Sequence, residues 1–190
     1  MSAEWLTAIA TAGTFIVIAA SAIAALMQLR HMRSSNQIAA LTECRERLES
    51  PEFNAARRFV TYELPKRLAD PSRRQEATQI PFSTDYEAVP TVANFFETMG
   101  LFVKHRIIDG RIACDAWSGV VLTSWNALLP LTTYMRSKYG RELWENFEYL
   151  AALSDEYLKE LAQRSRYPRN VKRMPEDSSL LDHIGGSVSA

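Results

Sequence analysis

Hydrophobic and polar residues fall along this chain as one uninterrupted apolar run followed by a series of helical stripes. Trp5 to Leu29 contains no charged residue, and Arg30 and Arg33 follow directly. As a helix this run is about 37 Å long, against a hydrocarbon core of about 30 Å, which predicts one tilted transmembrane span. Ile38, Leu41 and Leu48 carry the helical period past the membrane as far as Ser50-Pro51-Glu52. There Ser50 as N-cap and Pro51 at the first helical position predict a new helix. Its buried stripe is Phe53, Ala56, Val60, Leu64 and Leu68, with Pro65 placed to shorten it.

Residues 70–90 mix Pro71, Pro81 and Pro90 with Ser, Thr, Arg and Glu, and read as a long surface connection. The stripe Val92, Phe95, Phe96, Met99, Phe102 and Val103 predicts a core helix that ends near His105 and Arg106, with Asp109-Gly110 as the turn. A fourth helix is expected over about 111–138, bent at Pro130. A fifth is expected over 141–163, with Leu143, Phe147, Leu150, Tyr157 and Leu161 on one face. Residues 116–135 of the fourth helix carry no charge and are long enough to be a second span or re-entrant segment. Trp117, Trp125, Asn126, Pro130, Thr132, Thr133 and Tyr134 make them less apolar than residues 5–29, which favours the central helix of a bundle. No alternating strand, Gly-rich phosphate loop or internal repeat interrupts the helical period. The predicted fold class is all-α: one N-terminal transmembrane helix, then a cytoplasmic helical bundle of about five helices over residues 30–163, then a basic tail over 164–190.

The flanks of the apolar run decide between an anchor and a cleaved signal peptide. A signal peptide wants a basic residue before a short apolar stretch. Here only Glu4 precedes a long one, although Ala20-Ser21-Ala22 resembles a cleavage site. Leu6, Ile9, Phe15, Ile16, Val17, Ile18, Ile23, Leu26 and Leu29 together favour insertion by about 3–5 kcal/mol. All Lys and Arg lie after the run, so the positive-inside rule predicts an external N-terminus and a cytoplasmic C-terminal domain. Cys44 and Cys114 would then occupy a reducing compartment as free thiols. The whole chain has 22 Lys and Arg against 22 Asp and Glu, a balance that argues against a dedicated nucleic-acid binder.

The stretch Asn94-Phe95-Phe96-Glu97-Thr98-Met99-Gly100-Leu101-Phe102-Val103-Lys104-His105-Arg106-Ile107-Ile108-Asp109 is the most distinctive segment. With Trp125, Leu128 and Pro130, the later Asn146-Phe147-Glu148-Tyr149-Leu150, and the upstream Ser50-Pro51-Glu52-Phe53 and Ala56-Arg57-Arg58, it resembles an uncharacterised bacterial family, domain-of-unknown-function family forty-seven sixty. The likeness covers roughly residues 30 to 163. It implies one N-terminal anchor on a helical cytoplasmic domain, located at the bacterial inner (cell) membrane, and brings no reaction, cofactor or catalytic residue with it.

The acid–base candidates are Glu97, His105, Asp109 and Asp115, around one predicted helix junction. Each also has a structural use: Glu97 as a hydrogen-bond acceptor inside a bundle, His105 at a helix C-terminus, and Asp109 as an N-cap. Three histidines with no pair at ligand spacing suggest neither a metal site nor a bound cofactor. Cys114 reads as inert packing, and Trp117, Trp125, Trp144, Phe147 and Tyr149 as core, with a ligand pocket as the other use of such aromatics. Arg164, Arg166, Arg169, Lys172 and Arg173 are candidate contacts with an anionic membrane surface; the competing reading is a solvated, disordered tail. Ala8, Ala12, Ala20 and Ala24, beside Gly13, Ser21 and Ala25, could let two anchors pack closely. The expected partners are therefore the lipid bilayer, a protein not named by the sequence, and a second copy of the chain through the anchor, with no nucleic acid. The function expected is a membrane-anchored binding or scaffold module. A membrane-tethered enzyme or ligand sensor with a pocket near residues 97–115 is the alternative, and a small channel or signalling oligomer a third.

Overall fold

The first helix is continuous from the apolar run into the folded domain. In the computed structural model, which describes residues 3–163, α1 spans Ala3–Glu49 without a break. Phe15, Ile18 and Leu26 are 73%, 62% and 61% exposed, so these apolar side chains are not covered by the folded domain. Burial begins only towards its end, where Ala40 and Leu41 touch the core and Cys44 and Leu48 enter it. The change of helix falls where the sequence places it. Ser50 is extended and its hydroxyl accepts the Phe53 N–H at 3.2 Å, with Pro51 opening α2, Pro51–Arg58.

Pro65 shapes the next turns. It has no N–H, and its ring would press on the carbonyl of Thr61 in a regular α-helix. The chain responds by widening into a π-helical turn, Phe59–Glu63, in which the Leu64 N–H reaches back five residues to the Phe59 carbonyl. The helix then resumes as α3, Leu64–Ala69. The stripe of Phe53, Val60 and Leu64 is fully buried across this irregularity.

The stretch 70–90 is more structured than a surface connection. Asp70 caps α4, Pro71–Ala77, by accepting the Ser72 N–H and hydroxyl, and those bonds hold its carboxyl below the usual carboxylate range. After a 3-10 turn at Thr84–Tyr86, Tyr86 is buried, with its hydroxyl donating to the Arg73 carbonyl. The Arg67 guanidinium lies 4.8 Å from the Phe59 ring centroid and 5.4 Å from that of Tyr86. An aromatic anchor among polar neighbours thus ties the connection to the π-helical turn.

Three longer helices complete the described residues: α5, Ala88–Lys104; α6, Gly110–Tyr139; and α7, Glu145–Gln163. Two compact units divide the chain at Tyr157, and only the end of α7 is described in the second. Helix α6 is the long central helix, with Val121, Trp125, Leu128, Leu131 and Met135 buried. Pro130 lies on its exposed side, where the Asn126 carbonyl that loses its helical donor has access to water. Helix α7 starts later than the expected residue 141, because residues 141–144 form a turn and Trp144 adopts φ 57°. Gly140, at φ 112°, ends α6 in a conformation that side chains rarely tolerate. Arg136 holds this corner, donating to the Leu143 carbonyl at 2.8 Å and to Glu148 at 2.6 Å. All described regular structure is helical, as expected; the helix count exceeds five because the Pro65 region is subdivided and the connection contains α4.

The core is a file of aromatic rings. Phe53 meets Phe95 at 4.7 Å, Phe95 meets Phe96 at 5.2 Å, Phe96 stacks on Phe147 at 4.9 Å, and Trp125 meets Phe147 edge-on at 5.0 Å. Where the sequence suggests Asp109-Gly110 as the turn after α5, the left-handed residue is Arg106, at φ 58°. The Ile107 N–H returns to the Phe102 carbonyl and the Arg106 N–H to that of Val103, which is the Schellman arrangement with arginine in the glycine position. Arg106→Gly should therefore raise unfolding stability by about 1 kcal/mol, read from the denaturant midpoint; no gain would mean that this backbone is unstrained.

Candidate functional site

The four polar candidates do not converge on a cleft. The Glu97 carboxylate accepts the Asn146 side-chain amide at 2.7 Å and the Phe147 N–H at 2.9 Å. Trp144 opens α7 and its backbone carbonyl accepts the Glu148 N–H, so Phe147 is the third residue of the first turn. Glu97 thus supplies, from a different helix, the bond that an N-cap side chain normally makes. Asp109 caps α6, accepting the Arg111 and Ile112 N–H groups at 2.8 and 3.2 Å. Asp115 accepts the Tyr157 hydroxyl at 2.7 Å, and His105 is the exposed C-terminal cap of α5. Three of the four carboxylate and imidazole groups are accordingly engaged at three separate helix junctions.

The cysteines are buried and unpaired. Burial pushes the Cys44 thiol up, with the charge of Glu43 adding to it, and burial also pushes up Cys114 against the opposing hydrogen bonds from Ser154 and Ser118. Both shifts disfavour the thiolate on which cysteine reactivity depends. Among the described residues, no group of three or more His, Cys, Asp and Glu side chains is placed to hold a metal ion. Of the aromatic set, Trp125, Trp144 and Phe147 are core, Trp117 is half-buried and Tyr149 is exposed. Trp144 donates its indole N–H to the Asn94 side-chain carbonyl at 3.0 Å. Arg164, Arg166, Arg169, Lys172 and Arg173 lie outside the described residues.

Two surface features remain. The first is the apolar part of α1, the one helix among the described residues that is long and apolar enough to cross a membrane. The second is an open groove of about 510 Å³ between the end of α1 and α5. Met99 and Cys44 form its buried floor, Phe95 and Phe102 are half-buried in it, and Glu43 and Arg47 stand on its rim. Sequence periodicity marks Phe95 and Phe102 as core positions. It gives no sign that the end of α1 stands far enough away to leave a groove beside them.

A family model for a domain of unknown function, DUF4760, matches residues 15–154. The chain belongs to the DUF4760 family. The DUF4760 match begins inside the apolar part of α1 and ends in α7, so part of the apolar run lies in one family unit with Glu97, Asp109 and Asp115. No curated protein and no solved structure matches this DUF4760 chain.

Proposed function

We propose that this DUF4760 protein is a single-pass tether that holds a helical protein-binding module at the cytoplasmic face of a bacterial inner membrane, with its N-terminus outside. The observation that carries the reading is the exposed apolar surface of α1, which continues into the packed domain without a flexible joint. In water that surface would be a large unfavourable exposure, whereas in a bilayer it is matched to its solvent. The absence of Lys and Arg before the span, against Arg30, Arg33, Arg45 and Arg47 after it, supports the orientation.

The engagement of Glu97, Asp109 and Asp115 in helix junctions supports a binding role over acid–base chemistry. A cell-based test follows from a deletion phenotype in the source organism. Activity should survive His105→Ala and Asp115→Asn, should vanish when residues 2–29 are deleted, and should return with an unrelated single span of the same orientation. Loss of activity in a folded, membrane-located His105→Ala or Asp115→Asn protein would contradict the tether. Failure of the span replacement alone would instead indicate specific packing between anchors. The groove between α1 and α5 favours a second reading, a tethered sensor of a small apolar ligand.

A further inference from the structure

We propose that the turn joining α5 to α6, residues 104–112, is a second membrane contact that docks on anionic phospholipid headgroups of the bilayer crossed by α1. The inference rests on the anchor reading above and adds a surface that the sequence does not suggest.

Direction comes first. Phe53, just past the end of α1, packs on Phe95 near the middle of α5. Further along α5, Met99 and Phe102 share a groove with Cys44 and Glu43 of α1. Helix α5 therefore runs back beside α1, towards the apolar span, and its terminal turn points at the membrane side. The start of α6 lies at the same end, since Asp109 caps it directly after that turn. Phe102 and Glu43 line the same groove, Glu43 lies roughly 21 Å along the helix from Leu29, and the turn continues α5 from Phe102 in that direction. A span of about 37 Å in a core of about 30 Å tilts, and tilts reach about 40°. Tilting towards α5 lowers the turn towards the headgroup layer, which extends several ångströms beyond the hydrocarbon. Span length alone leaves the tilt direction open, and interfacial contacts choose it.

Chemistry supplies such a contact. Leu101, Ile107 and Ile112 are 40%, 47% and 48% exposed at this end. Arg106 precedes Ile107 and Arg111 precedes Ile112, and neither guanidinium is paired with an acid among the described residues. Three acids near the turn have other partners: Asp109 faces the N–H groups of α6, Asp115 takes the Tyr157 hydroxyl, and Glu145 pairs with Lys104 at 3.1 Å. Exposed isoleucines each next to a free arginine suit the boundary of an anionic bilayer, where apolar tips enter the acyl edge and guanidinium groups meet phosphate. The left-handed backbone at Arg106 starts the tight turn that presents Ile107 beside it.

The test is hydrogen–deuterium exchange of the full chain in lipid nanodiscs, one set of phosphatidylcholine and one containing phosphatidylglycerol. Amides of residues 105–112 should exchange several-fold more slowly in the anionic discs. The slowing should disappear at high salt and in the double variant Arg106→Glu/Arg111→Glu, while amides of 92–103 stay unchanged as a folding control. Equal exchange in both lipids, with the chain inserted, would overturn the docking surface and leave the anchor standing. Slowing that persists in the double variant would also overturn it. A chain that does not enter either disc would refute the anchor itself.

Discussion

Gly100→Ala should destabilise the domain by about 3 kcal/mol or more, at or beyond the upper end of ordinary overpacking. A Cβ on Gly100 would lie 2.0 Å from the Asn146 carbonyl oxygen and 2.5 Å from its carbon. These are backbone atoms in the first turn of α7, so no side-chain rotation relieves the clash. Separating the helices would stretch the bonds from Asn146 and Phe147 to Glu97, three residues before Gly100 on α5. It would also part Phe96 from Phe147, which stack at 4.9 Å. Denaturant unfolding of the full chain in detergent micelles, followed by helical circular dichroism, reads the loss directly. A midpoint equal to that of the parent chain would show that α5 and α7 do not approach this closely.

Phe96→Ala should cost about 3–5 kcal/mol, the range for truncating a fully buried aromatic. Phe96 has no exposed surface and touches Phe53, Phe95 and Phe147, which come from three helices. Its removal would leave a cavity at the centre of the aromatic file, bounded by rings that are themselves fixed by neighbours. Trp125→Ala should fall in the same range, since its indole packs edge-on against Phe147 and beneath the Arg136 guanidinium. Changes within experimental error at both positions would place the core elsewhere.

The parts of this fold legible in the sequence are those governed by local rules. Ser50-Pro51 marks a helix start because capping needs only an oxygen and a missing N–H at adjacent positions. The stripe from Val92 to Val103 marks a buried face because helical geometry repeats every turn. What escaped depends on partners far away in the chain. Glu97 caps α7 from a position 50 residues earlier, a pairing that no local spacing announces. Trp144 and Arg106 take left-handed backbones usually given to glycine, so residue type points away from both turns. Tyr86 offered a usable signal, as a large aromatic in a polar stretch just before Val89, both of them buried. Among the site residues, Asp109 was legible as a cap, whereas the membrane-directed turn required knowing that α5 runs back along α1.

The central claim, a cytoplasmic domain carried by a single N-terminal span, is tested most directly by protease treatment of cells expressing the full chain with a C-terminal tag. In spheroplasts the tagged domain should be protected, in inside-out membrane vesicles it should be digested, and alkaline extraction should leave it in the membrane pellet throughout. Digestion in intact spheroplasts would reverse the orientation, and release into the alkaline supernatant would contradict the anchor.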